Sequence, residues 1–217
     1  GEAALAEARG RVGAGTLLRV DEHASRVALV RPGMSIDVGG VAKGRALDVA
    51  AARLAPGMSA LLSFGQSSLR AVGAPFGKPG WRVLLRRPDE GFAGVVTLRD
   101  QSLSASGSLG QWKEIAGRRY GHVIDPRTGV PLERRLEAAV VAPDATLAEA
   151  LSKALLLLGE QEGIALLESL PGVEGWLADD AGHEWATRGW SRAVQWERLA
   201  AESVGPVHAF SFAPPRR

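Results

Sequence analysis

Glu137-Ala138-Ala139-Val140-Val141-Ala142-Pro143-Asp144-Ala145-Thr146-Leu147-Ala148-Glu149-Ala150-Leu151-Ser152-Lys153-Ala154-Leu155-Leu156-Leu157-Leu158 sets the fold class. Its first six residues, Glu137 followed by a small-to-branched apolar run, read as a strand. Pro143-Asp144 turns the chain, and 146–158 reads as a helix. Thr146 is the expected N-cap, with Glu149 three residues on completing a capping box. Gly159 stops that helix, and a second runs over 160–170. Residues 176–179 then read as a strand and 180–183 as its turn. Upstream, 2–12 and 45–54 have helical character. The runs 16–20 and 26–30 alternate like a hairpin closed by the polar loop 21–25. Further strands are expected at 34–38, 60–64, 69–73, 81–86 and 94–98, and 102–108 reads as a small, polar loop, suited functionally to lining a phosphate or a ribose. Strands and helices in mixed order predict an α+β class with mixed or antiparallel sheets and flanking helices. One domain over 1–200 with a C-terminal tail over 201–217, frayed at 214–217, is expected.

Composition narrows the function. The 217 residues are 46% hydrophobic, enough for a core. Net charge is +2, and no basic block interleaves with aromatics, so nucleic acid is not an expected partner. There are no cysteines, which removes disulfides, thiolate catalysis and cysteine metal sites. No apolar run approaches the roughly 18 residues of a membrane span, and no signal peptide is visible.

Two stretches carry chemistry. Tyr120-Gly121-His122-Val123-Ile124-Asp125-Pro126-Arg127-Thr128-Gly129-Val130-Pro131 places an imidazole three residues before a carboxylate, then breaks the backbone at Pro126 and Gly129. Imidazole is suited to moving a proton near neutral pH. Asp37-Val38-Gly39-Gly40-Val41-Ala42-Lys43-Gly44 sets an acid and a base around three glycines, ahead of a helix. Backbone amides of such a turn and the positive end of the helix dipole favour an anion. A plain strand-to-helix turn has the same spacing. A Gly-rich phosphate loop would need a fuller pattern than this one.

Together with Val141-Ala142-Pro143-Asp144 leading into Ala148-Glu149-Ala150-Leu151-Ser152-Lys153-Ala154-Leu155, these stretches resemble the FAD:protein FMN transferases, the ApbE family. The resemblance covers roughly residues 12–190 and implies that family's fold, related to the T-fold. It also implies FAD as substrate and transfer of FMN to a Thr or Ser hydroxyl of a target protein, with release of AMP. Some members instead hydrolyse FAD to FMN and AMP. Asp37, Gly39, Gly40, Lys43, Ile124 and Thr128 would hold the flavin nucleotide. His122 would be the general base and Asp125 would orient its loop. Magnesium on the pyrophosphate would be held by the Gly40 carbonyl, Glu149 and Ser152. Family members often act in the periplasm or at a membrane, and they carry further sequence before the region matched here.

The resemblance departs at the long helix. There the family has Asp with a hydroxyl residue four positions on, where this chain has Glu149 and Lys153. Glu and Lys at that spacing also form an ordinary helix ion pair worth roughly 0.2–0.5 kcal/mol. A charged ammonium cannot ligate Mg²⁺. Either Lys153 replaces the ion electrostatically, or the site has lost the metal and most of its activity. The latter would leave a non-catalytic module that binds a flavin or a partner.

Overall fold

A computed structural model describes residues 2–89, 91–108, 112–115 and 117–199. The chain opens with helices α1 (Glu2–Arg9) and α2 (Ala14–Leu17) and the hairpin β1 (Leu18–Asp21) and β2 (Arg26–Leu29). Helix α3 (Ala42–Ala51) follows, then β3 (Ala60–Phe64), β4 (Ser68–Val72), β5 (Trp81–Arg86), β6 (Phe92–Leu98) and β7 (Ser102–Gly107). Two small hairpins come next: β8 (Trp112–Ile115) with β9 (Arg118–Gly121), and β10 (Ile124–Asp125) with β11 (Val130–Pro131). The last elements are β12 (Leu136–Ala142), α4 (Ala145–Glu168), β13 (Glu174–Asp179), β14 (Glu184–Ala186), α5 (Trp190–Ala193) and β15 (Glu197–Arg198).

The expected α+β class holds, and every ladder among the described residues is antiparallel. A six-stranded sheet, ordered β14-β13-β12-β7-β4-β3, forms the middle layer. Helix α4 packs on one face, and a three-stranded sheet ordered β15-β6-β5 covers the other. Strand β12 shows why its sequence is apolar apart from Glu137, whose carboxyl is pushed up by burial. Leu136, Ala138, Val140 and Ala142 face α4, while Ala139 and Val141 face the smaller sheet. A strand covered on both sides needs no polar alternation.

Helix α4 differs from its sequence reading at the start. Asp144, not Thr146, is the N-cap: it has extended φ and ψ, and its side chain accepts the Leu147 amide at 2.8 Å. Thr146 instead donates its hydroxyl to Asp48 on α3. Glu149 makes no capping box but turns inward to the Gly44 amide. Gly159 breaks the helical conformation as expected, at φ 74° and ψ −164°, a region that glycine enters at least cost.

Two strand assignments change. Of the expected loop 102–108, residues 102–107 form the strand β7, sandwiched between β12 and β4. Serine and glycine have low strand propensity, but central placement in a sheet overrides it. Residues 34–38 alternate like a strand yet belong to no ladder among the described residues, and Ile36 and Val38 are exposed. The hairpins β8–β9 and β10–β11 went unassigned from sequence. Helix α3 starts at Ala42, three residues before the expected 45. The expected C-terminal tail at 201–217 lies outside the described residues.

Asp48 rivets α3 to α4. Its carboxylate accepts the Ala145 amide at 2.8 Å, the Thr146 amide at 2.9 Å and the Thr146 hydroxyl at 2.5 Å. Burial alone would raise this carboxyl. The Thr146 hydroxyl, the two amides and the Arg70 charge outweigh burial and hold it below its ordinary value. A carboxyl depressed in the folded state adds stability above its unfolded pKa, about 3.9, and loses it as pH falls through the folded value. Asp48→Asn is therefore expected to lower stability at neutral pH and to flatten part of the acid limb below about pH 4. Urea unfolding at a series of pH values checks this; an unchanged slope would refute it.

Candidate functional site

The sheet and its helices assemble one polar cluster around the buried end of Glu149. This carboxylate sits on the second turn of α4, directly beneath the start of α3, and is 0% exposed. Oε2 accepts the Gly44 amide at 2.7 Å, so a first-turn donor of α3 that would lack an intrahelical partner is satisfied by another helix. Oε1 lies 3.3 Å from Lys43 Nζ and 3.6 Å from Lys153 Nζ and makes no hydrogen bond. Gly44 must be glycine for this approach. A Cβ there would overlap the Ala145 carbonyl and come within 2.7 Å of Thr146 Cα.

Around the carboxylate, the two lysines differ in how they are held. Lys43 Nζ donates to Ser67 Oγ at 2.5 Å. Lys153 Nζ donates to the Glu149 carbonyl at 3.3 Å, and its stem packs over the glycine turn: a Cβ on Gly40 would lie 3.4 Å from Lys153 Cδ. Burial lowers the Lys153 ammonium from its ordinary value; Glu149 opposes that shift and Lys43 adds to it. Ser152 Oγ bonds Ser106 Oγ at 2.8 Å and Ser104 Oγ at 3.2 Å. The small side chains of β7 thus leave room for α4 and occupy the Ser152 hydroxyl. On the loop before α3, Asp37 Oδ1 accepts the Gly39 amide at 2.7 Å.

A second group lies at the β10–β11 turn. Asp125 accepts the Arg127 amide at 2.8 Å and the Arg127 guanidinium through both carboxylate oxygens. Those contacts, the guanidinium first, hold the Asp125 carboxyl below the usual carboxylate range. Gly129, at φ 70°, closes the turn by donating to the Asp125 carbonyl at 2.7 Å. Arg127 also donates to the Leu157 carbonyl, tying the turn to α4. Leu157 is eight residues from Glu149 on that helix, or roughly 12 Å at 1.5 Å per residue. A cleft of about 770 Å³ opens here, lined by Asp125, Arg127, Thr128, Leu132, Arg134 and Glu160 among others. Ile124 and His122 are exposed beside it in sequence.

Of the residues singled out from sequence, Gly40, Lys43, Glu149 and Ser152 are therefore brought together, with Asp37 and Gly39 on the adjoining loop. Asp125 and Thr128 share the cleft. Ser67 was missed as a cluster member, while Ser104 and Ser106, expected in a loop lining a phosphate or a ribose, instead bond Ser152 from a strand. Ser67 had a readable signal, a polar turn at the end of a buried strand. The serines of β7 were legible as a small, polar stretch but not as a strand, because pairing across the sheet places them.

The donor set does not fit a divalent ion. Glu149 is bonded on one oxygen and faced by two ammoniums on the other, and Ser152 is engaged by two hydroxyls. No group of three His, Cys, Asp or Glu side chains suited to a metal occurs among the described residues. At an effective dielectric of about 20, unit charges about 4 Å apart interact by roughly 4 kcal/mol. A divalent ion beside these ammoniums would meet about twice that from each.

Similarity to known proteins matches this geometry. The sequence pattern of the ApbE family matches residues 1–177. The FAD:protein FMN transferase of Treponema pallidum is 35% identical over 162 residues, covering 68% of this chain and 44% of that protein. The Rhodobacter capsulatus enzyme of the same name is 36% identical over 135 residues, covering 60% of this chain and 25% of that one. The chain thus spans about half or less of the curated relatives it matches. Among solved structures, the ApbE protein of Thermotoga maritima superposes with a TM-score of 0.79 at 26% identity, covering 89% of this chain and 64% of that one. The apo flavinyl transferase ApbE of Pseudomonas stutzeri gives 0.75 at 28%, covering 89% and 61%. Sequence motifs, three-layer architecture and superposition agree, and the chain belongs to the ApbE family.

Proposed function

We propose that this chain carries the nucleotide grip and the base of an FAD:protein FMN transferase. The observation that supports the reading best is the gathering of Lys43, the glycine turn and buried Glu149 in a chain whose relatives bear that activity's name. In the reaction, the hydroxyl oxygen of an acceptor Thr or Ser attacks the FMN phosphorus of FAD. A new P–O bond to the protein forms as the bond to the AMP phosphate breaks. The hydroxyl proton passes to His122, and AMP leaves with the bonding electrons. Such transfers depend on positioning and on neutralised charge more than on covalent help from the protein.

Each residue has a part. Lys43 places an ammonium at the diphosphate, beside the amides of the turn that follows Asp37. Asp37 shapes the turn by accepting the Gly39 amide. Asp125 fixes the turn that follows His122 through Arg127 and Gly129. Ile124 offers an exposed apolar surface to a flavin ring, and Thr128 lines the neighbouring cleft. No step is routed through a metal, because the donor set does not fit one.

Co-expression with an acceptor protein bearing a single Thr tests the reading. In-gel flavin fluorescence on the acceptor, lost on Thr→Val replacement, is the expected result. Its absence with FAD present would refute transfer. Free FMN and AMP with an unlabelled acceptor would show that water, not a protein hydroxyl, is the nucleophile.

A further inference from the structure

The carboxylate that a family magnesium ion would use is answered by the chain's own cations. Glu149 is fully buried, with Oε2 bonded to Gly44 and Oε1 set between two ammoniums at 3.3 and 3.6 Å. The Lys43 and Lys153 side chains are each 33% exposed, so their heads rise from a buried base to the surface of the cluster. An ammonium has three donors. Lys43 spends one on Ser67, and Lys153 one on the Glu149 carbonyl. Both also face Glu149 Oε1, and each ammonium keeps a donor for a ligand. The stem of Lys153 crosses Gly40, so its charge is carried to the glycine turn ahead of α3. Two ammoniums against one carboxylate leave one positive charge at the start of a ten-residue helix, whose own dipole favours an anion.

We propose that this site holds the diphosphate of its nucleotide without a divalent cation, Lys153 and Lys43 together forming the clamp. The identity of the nucleotide rests on the flavin reading above; the clamp itself does not. Lys153 takes a position that would otherwise require a metal, and Glu149 serves to hold the two ammoniums in place.

Calorimetry on the whole chain tests this, with pyrophosphate, ADP and FAD each titrated in EDTA and again as magnesium complexes. The wild type is expected to bind all three in EDTA, with magnesium changing each Kd by less than about threefold. Lys153→Thr should weaken binding in EDTA by about tenfold or more, the loss of a charge-assisted contact. It should also make binding magnesium-dependent. Lys153→Arg should retain binding in EDTA, and the melting temperature of each variant separates lost charge from lost fold. Tenfold tightening of the wild type by magnesium would overturn the clamp, as would an unaltered Lys153→Thr or failure to bind any probe. Pyrophosphate and ADP bound without FAD would keep the clamp and remove the flavin reading. FAD bound only with magnesium would do the reverse.

Discussion

Replacing His122 with alanine is expected to lower flavin transfer by about 10² to 10⁴-fold, the usual range for a lost general base. The melting temperature should barely move. His122 is exposed on the loop between β9 and β10, and truncating an exposed side chain away from the core typically changes stability by about 0.5 kcal/mol or less. FAD affinity should also be nearly unchanged, so the loss falls on kcat rather than on binding. The pH–rate profile adds a sharper check: the limb that reports the base should vanish in the variant. A variant retaining full activity would assign the proton transfer elsewhere. A variant that unfolds would mean His122 is structural. Asp125→Asn provides the comparison, because it keeps an acceptor for the Arg127 amide but removes the charge facing the guanidinium. It should act by loosening the turn, with a smaller loss that Arg127→Ala reproduces.

Glu149→Ala is expected to have the largest effect on stability of any change in the cluster. Removing one member of a buried charge group leaves its partners uncompensated and typically costs about 3–5 kcal/mol. Here the partners are two one-third-exposed lysines, whose access to water favours the lower end. The Gly44 amide loses its acceptor as well, and a buried orphan donor costs about 1–3 kcal/mol. At roughly 2–4 °C per kcal/mol for a chain of this size, melting should fall by about 10 °C. Glu149→Gln should lie between, since its amide oxygen can still accept from Gly44 while the charge is gone. The ranking wild type, Gln, Ala measured by thermal denaturation checks the assignment. Near-equal melting of all three would show that Glu149 is not a keystone of the α3–α4 contact, and would reopen it as a ligand group.

Much of the architecture was legible along the chain, and the failures share a cause. The apolar run 138–142 of β12 and the helix after it could be read locally, because both patterns are set within a few residues. Gly159 marked its break for the same reason. The cap did not follow, since Asp144 and Thr146 are both good caps and only Asp48, about a hundred residues earlier in sequence, decides between them. Strand β7 was hidden because its stability comes from two neighbouring strands and from Ser152 across the layer. Residues 34–38 erred in the opposite direction: alternation suggested a strand, but a strand needs a ladder. At the site, the pairing of Glu149 with Lys153 was visible at helical spacing. The ion pair with Lys43 and the hydrogen bond from Gly44, 106 and 105 positions away along the chain, were not.

The double fastening of α3 to α4, at Gly44–Glu149 and at Asp48–Thr146, has a mechanical corollary. A molecule seated at the head of α3 pulls on a lever whose far side closes the first turn of α4. Occupancy should therefore be audible at a distance, as slower deuterium uptake by the amides of Ala145, Thr146 and Leu147, which touch no ligand themselves.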